Sequence, residues 1–293
     1  MSIKTILVPV SNLSQARSAV ETAFLVARPF DGHVVGLHVR PTFNEDKIEA
    51  VMKLASLGKS SPLLREAGDA PVFAEDEDTQ AARQLFEDVR KAMRVESGDR
   101  PCDPSGLSAA FKMIDGDGPE AIAEQARVFD LVVVSQPKSD PDHRLREILR
   151  AVLFYSGRPI LSVPERTPAS VGETILVAWS GSALSARAAA IGRVYFEYAK
   201  KVGILSVAAE QGHGPLAEEL VEHFAWHDID AALIETELGH RRLGDVILDQ
   251  AAAFGADLLV MGAYSQSPFR ESLTRGVTNY ILSHAELPVL MTH

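Results

Sequence analysis

His223 and His227 stand four residues apart in a stretch with helical periodicity, a spacing that would put two imidazoles on one helix face as in metal-binding pairs. Glu219 and Glu222 are near, but Phe224-Ala225-Trp226 between the two histidines is apolar and spacing sets no third ligand. A solvated helix face is therefore expected, and no metal. Cys102 is the only cysteine. It lies in the loop-like stretch Asp99-Arg100-Pro101-Cys102-Asp103-Pro104, where neighbouring acids disfavour a thiolate nucleophile. One cysteine makes no internal disulfide and no multi-cysteine zinc site, which fits a reducing, cytoplasmic compartment. The other histidines are scattered, and residue order alone supports no Ser-His-Asp arrangement. No catalytic residue is assigned. Two polar runs remain: Ser180-Gly181-Ser182-Ala183-Leu184-Ser185, and Met261-Gly262-Ala263-Tyr264-Ser265-Gln266-Ser267 followed by Arg275-Gly276-Val277-Thr278. What they can do depends on the elements that hold them.

Those elements come in two copies. ILVPVSNLSQARSAV (6–20) returns as ILVAWSGSALSARAAA (175–190), and FDLVVVSQP (129–137) as ADLLVMGAY (256–264). REIL then RAV (146–152) returns as RESL then RGV (270–277), and RPILSV (158–163) as LPVLMT (287–292). Four matches in one order mark a duplicated domain. The stretch 164–172 has two prolines, no periodicity and a terminal glycine, and reads as the joint. The expected domains are 1–166 and 173–293. The first is enlarged by roughly forty residues in its middle, including a helical pattern of Ala82, Leu85, Phe86, Val89 and Met93 behind the acids Glu75-Asp76-Glu77-Asp78.

Within each copy, short β-branched or aliphatic runs alternate with helical patterns. In the second, strands are expected at 174–178, 202–207, 229–234, 257–261 and 288–292, with helices at 185–200, 215–227, 242–254 and 272–283 between them. Leu216, Leu220 and Phe224 would form a buried stripe on one of those helices. Strict alternation with doubly buried strands predicts an α/β fold, two tandem doubly wound five-stranded parallel sheets. Ligands of such sheets bind beyond the carboxyl ends of the strands, where the strand order reverses, and both polar runs directly follow strands.

MGAYSQS followed by RGVT, together with the opening ILVAWSGS, resembles the universal stress protein family. The likeness covers essentially the whole chain, once per repeat, apart from the enlarged middle of the first. Tandem members carry a phosphate loop of the form Gly-x-x-Gly, nine residues, then Gly and a small or hydroxyl residue. In such a loop glycines let backbone N–H groups approach phosphate oxygens, and a hydroxyl near a helix start adds a donor. Carried over, Gly262 matches the first glycine, Ser265 stands at the second, and Arg275 at the third, with Gly276 and Thr278 in register. The acid that anchors adenosine in nucleotide-binding members is replaced by Ser180, and by Ser11 in the first repeat, where Ser135-Gln136-Pro137-Lys138 also replaces the glycine-rich turn. The resemblance thus implies a cofactor-binding set of Ala178, Ser180, Gly262, Ser265, Arg275, Gly276 and Thr278, holding ATP or another adenine nucleotide weakly and in the second repeat only. Bland roles for the same residues are a tight strand-to-helix turn at Gly262 and a bond from Thr278 to its own helix.

The resemblance also implies that the two repeats pair through their last strands as a pseudo-dimer about an approximate two-fold, which would cover two exposed sheet edges. In function it implies a cytoplasmic, non-enzymatic stress-response or regulatory module. The alternatives are an enzyme of the same superfamily that hydrolyses ATP or transfers an adenylate group, and a structural dimer that binds a protein partner through the acidic segment 41–110. Catalysis would need an acid, a base or a metal-binding carboxylate beside the phosphates, and the turns after both first strands offer only serine. Composition narrows the partners further. The 293 residues are 46% hydrophobic and 24% charged, as in ordinary globular chains. No apolar run approaches the ~18 to 20 residues of a membrane span. With 29 Lys plus Arg against 40 Asp plus Glu, the net charge of -11 disfavours nucleic acid and anionic lipid.

Overall fold

The computed structural model describes residues 2–10, 15–41, 77–98, 106–138, 144–208, 214–264 and 271–293. The first repeat supplies strands β1 (Thr5–Pro9), β2 (His33–Pro41), β3 (Glu96–Ser97), β4 (Ser108–Gly116), β5 (Leu131–Ser135) and β6 (Ile160–Val163). Its helices are α1 (Ala16–Ala27), α2 (Glu77–Ala92), α3 (Gly118–Ala126) and α4 (Arg144–Tyr155). The second supplies strands β7 (Thr174–Trp179), β8 (Lys201–Val207), β9 (Ala231–Thr236), β10 (Leu258–Gly262) and β11 (Val289–Thr292). Its helices are α5 (Ala183–Phe196), α6 (Ala217–Ala225), α7 (Leu243–Phe254) and α8 (Glu271–His284).

All these strands join one sheet in the order β3-β4-β2-β1-β5-β6-β11-β10-β7-β8-β9. Every neighbouring pair is parallel except β6 with β11, which run antiparallel with Leu161 opposite Leu290. Antiparallel pairing of matched strands is itself a local two-fold relation, so the repeats face each other across the seam that their last strands were expected to form. The two-residue β3 is an addition to the five strands expected of the first repeat.

Alternation along the strands builds the two cores. Ile6 and Val8, Ile175 and Val177, Leu258 and Val260 point to the face covered by α1, α2, α5 and α6. Leu7, Leu176, Leu259 and Met261 point to the other face, covered by α3, α4, α7 and α8. Such strands must be apolar at every position, which is why they read as unbroken runs. The recurrent Asp-Leu before β5 and β10 also has a physical basis. Asp257 accepts from the backbone N–H groups of Gly172, Glu173 and Thr174 at 2.9–3.1 Å and from the Ser170 hydroxyl at 2.6 Å. Asp130 accepts from the N–H groups of Lys4 and Thr5, both at 2.9 Å. Each aspartate thereby pins the start of its repeat's first strand beside the strand it precedes.

Two expectations change. Leu216 is not part of the buried stripe: α6 begins one residue later, and Leu216, in the extended conformation at its N-cap, is 48% exposed while Leu220 and Phe224 are buried. The side chain of Glu219 instead accepts from the Leu216 N–H at 2.8 Å. Within 41–110, residues 42–76 and 99–105 lie outside the described residues. What is described there turns its apolar side inward: on α2, Ala82, Phe86 and Val89 are fully buried. Phe86 lies so close over Gly36 of β2 that a Cβ on Gly36 would sit 2.5 Å from its ring.

Candidate functional site

The strand order reverses between β7 and β10 in the second repeat, and a cavity of about 100 Å³ opens beyond the carboxyl ends of these two strands. One wall is the turn after β7. Ser182 caps α5, accepting from the Ser185 N–H at 3.2 Å, and the hydroxyls of Ser180, Ser182 and Ser185 lie within 3.0–3.4 Å of one another. Gly181 has φ +70 and lies against the loop at Gly214 and Pro215, where an added Cβ would meet the Pro215 carbonyl at 3.0 Å. The Trp179 indole N–H donates to that same carbonyl at 3.0 Å, tying β7 to the entry of α6.

The opposite wall is the end of β10. An added Cβ on Gly262 would lie 2.8 Å from the Leu184 carbonyl carbon and 2.9 Å from the Ser185 nitrogen. Glycine is needed there because α5 begins against the strand, and not for a tight turn. The left-handed position belongs instead to Tyr264, at φ +52, a conformation sparsely used by non-glycine residues. It is held by two bonds: the Tyr264 N–H donates to Thr278 Oγ1 at 3.2 Å, and the Tyr264 hydroxyl donates to Asn279 Oδ1 at 2.9 Å. Thr278, 2% exposed, therefore points its hydroxyl at the strand's end and not at its own helix. The floor is aliphatic, from Leu205 and Val207 of β8, Leu243 and Ile247 of α7, and Val277.

Of the expected cofactor-binding set, the structure brings Ala178, Ser180, Gly262 and Thr278 together around this cavity. Gly276 lies on the exposed side of α8 with nothing within 4 Å of where its Cβ would be. Ser265 and the Arg275 side chain lie outside the described residues. Sequence reasoning missed Trp179, Leu184, the β8 residues and Tyr264 as lining groups. The available signal was topological, since β8 neighbours β7 and its end must border the same crevice.

No described lining residue is ionisable near neutrality. Tyr264 is the one titratable group, and burial pushes its phenol upward, away from any role as a base, against the pull of Arg150 and Arg146. The slot can therefore enclose a flat apolar ring and hydrogen-bond its edge through serine hydroxyls and backbone. It is smaller than the ~300 to 1,000 Å³ of pockets that engulf a whole drug-sized ligand, so the polar remainder of a larger ligand would lie outside.

At the matching place in the first repeat, Ser135 takes the position of Gly262 and its hydroxyl donates to the Gln15 carbonyl at 3.0 Å, while the next residue, Gln136, is fully buried. Ser135 thereby ties the end of β5 to the start of α1, and the Gln136 side chain reaches the Leu287 carbonyl of the second repeat. The histidine pair stands elsewhere. His223 and His227 have ring centroids 5.0 Å apart, and His227 Nε2 lies 3.1 Å from the Arg193 guanidinium, a donor that occupies the lone pair a metal would use. Among the described residues no group of three or more His, Cys, Asp or Glu side chains is placed to hold a metal, and no helix is long and apolar enough to cross a membrane.

The profile of the Universal stress protein family matches residues 2–153 and again 172–293. Among solved structures, a universal stress protein from Archaeoglobus fulgidus is similar over 99% of this chain and 96% of its own, with a TM-score of 0.65 at 14% identity. A Pseudomonas aeruginosa PAO1 protein described as functionally unknown is similar over 99% of this chain and 92% of its own, with a TM-score of 0.52 at 16% identity. At such identities the likeness is one of fold. No curated protein matches the chain.

Proposed function

Because this chain belongs to the universal stress protein family, in two tandem copies, we propose that its repeats, 1–166 and 173–293, divide their work. The second holds a weak adenine-nucleotide slot, and the whole acts as a non-enzymatic regulatory module in a reducing compartment. The observation that carries this reading is the slot itself, an apolar crevice at the switch point of β7 and β10 where Ser180 stands in place of an anchoring acid and, among the described residues, no lining group is placed to move a proton. A neutral hydroxyl in place of a carboxylate weakens a hydrogen bond to ribose by roughly 1 to 2 kcal/mol, and a further lost loop contact would bring the deficit to about 2.7 kcal/mol, a hundredfold in affinity.

Trp179 lines the slot, whereas Trp226, the other tryptophan, is 80% exposed, so fluorescence in a Trp226→Phe background reports the slot alone. Adenosine and ATP should perturb Trp179 only at sub-millimolar concentration or above, and Ser180→Asp should tighten adenosine about tenfold. Micromolar ATP binding by the unaltered protein would overturn the weak-site reading. Phosphate release from ATP above background, abolished by a change in the slot, would overturn the non-enzymatic one.

A further inference from the structure

Tyr264, the slot residue in the left-handed conformation, has its ring against the first repeat. Phe154, in the last turn of α4, lies with its ring centroid 5.5 Å from that of Tyr264 and the planes at 40°, within the roughly 4.5 to 7 Å over which aromatic pairs attract. Phe154 also meets His293 at 4.4 Å between centroids, and His293 Nδ1 lies 3.2 Å from the Ala263 carbonyl. One side chain of the first repeat thus bears on the end of β10, directly at Tyr264 and through His293 at Ala263. Phe154 is 38% exposed and belongs to neither core, so core packing does not call for a phenyl ring there.

The contact is also one-sided. In the matched runs 129–137 and 256–264, Tyr264 corresponds to Pro137. Counted back from the matched runs 158–163 and 287–292, Phe154 corresponds to Ser283. Pro137 and Ser283 both border a cavity of about 290 Å³ between the repeats, which Tyr264 borders as well. The mirror position therefore carries no aromatic pair, and the pair that exists stands on the side whose strand end carries the slot.

We propose that Phe154 is a positioning residue for the slot, a side chain of the first repeat that acts through Tyr264 on the binding site of the second. This rests on the reading of the slot as an adenosine site and deepens it, because one wall of that site is then braced by the other repeat. A non-glycine residue stays in the left-handed region only where its surroundings over-determine it. The bonds to Thr278 and Asn279 fix the Tyr264 backbone N–H and its hydroxyl, and Phe154 bears on the ring between them. Without Phe154 the Tyr264 ring has the inter-repeat cavity to move into, away from the slot.

The full chain carrying Trp226→Phe is compared with the same chain bearing Phe154→Ala or Phe154→Tyr. Adenosine affinity is read from Trp179 fluorescence, and amide hydrogen exchange at Tyr264 is read without ligand. Phe154→Ala should weaken adenosine about threefold to tenfold, the factor an aromatic pair supplies, and should speed exchange at Tyr264 by at least threefold. Phe154→Tyr keeps the ring and should restore both. A role in stability alone would lower the melting temperature and leave the affinity of the folded chain where it was. Unchanged exchange at Tyr264 in Phe154→Ala would overturn the proposal, as would faster exchange with unchanged adenosine affinity, or a Phe154→Tyr chain as impaired as Phe154→Ala. Absence of any adenosine response before Phe154 is altered counts against the nucleotide reading alone, and exchange at Tyr264 then decides whether Phe154 holds it.

Discussion

Gly262 at the end of β10 and Gly276 within α8 should respond to alanine with opposite signs. At Gly262 the added methyl would lie 2.8 Å from both the carbonyl carbon and the Cβ of Leu184 and 2.9 Å from the Ser185 nitrogen. Two of those three atoms are backbone in the first turn of α5, so no side chain can swing aside and the helix must move. Gly262 lacks a left-handed φ, so the cost comes from overpacking alone, about 1 to 3 kcal/mol. At Gly276 nothing lies within 4 Å and the site is exposed in mid-helix, so alanine should stabilise by about 0.5 to 1 kcal/mol through chain entropy. Thermal denaturation followed by circular dichroism separates the two, at about 2 to 4 °C per kcal/mol for chains somewhat shorter than this one. Gly262→Ala should melt several degrees lower and also blunt the Trp179 response to adenosine, since α5 carries the serine wall of the slot. A neutral or stabilising Gly262→Ala would refute the close-approach argument, because nothing else in the structure demands glycine there.

Thr278→Val removes the acceptor of the Tyr264 N–H and should cost about 1 to 3 kcal/mol in denaturant titration, with a weaker slot as a side effect. Asp257→Ala unties three backbone N–H groups and the Ser170 hydroxyl; a loss of roughly 2 to 4 kcal/mol is expected, visible as faster hydrogen exchange at 172–174. Burial raises the Tyr195 phenol far above its ordinary 10.0, and its hydroxyl finds no acceptor among the described residues. The neutral form is the one that folding favours, so its contribution is complete below pH 10 and is lost as pH rises toward the folded value. Tyr195→Phe should therefore be neutral to stabilising at pH 7 and should remove up to about 1.4 kcal/mol per pH unit of alkaline destabilisation above pH 10.

The fold was legible because its grammar is local. Doubly buried strands such as Leu258–Gly262 must be apolar throughout, and the aspartates that start each repeat's sheet recur in the letters themselves. Helix starts were blurred where periodicity outran the backbone: Leu216 keeps the four-residue spacing but sits outside α6, where the chain is still extended. The site was legible in its residues and not in their reasons. Gly262 answers to Leu184, 78 positions earlier, and Thr278 to Tyr264 across the β10–α8 connection, contacts that spacing cannot announce. The cavity between the repeats was out of reach for a further reason. Arg150 and Tyr264 border one cavity only once β6 and β11 have set the two repeats side by side.

That seam has a polarity that strand pairing alone would not give it. Gln136 donates across it to the Leu287 carbonyl at 3.1 Å, while the repeated pattern places Ala263 opposite Gln136 and Arg158 opposite Leu287, so the mirror-image bond has no donor. In a pair of identical subunits every contact must be its own reflection, and one side's improvement is imposed on the other. Fusion lifts that obligation. Each half has become the other's specific mate, so if the chain were cut in the joint at 164–172, the pieces should seek one another in preference to their own copies. The first repeat, where Ser135 and Gln136 take the places of Gly262 and Ala263, can then be understood as a half whose strand end serves to hold its neighbour.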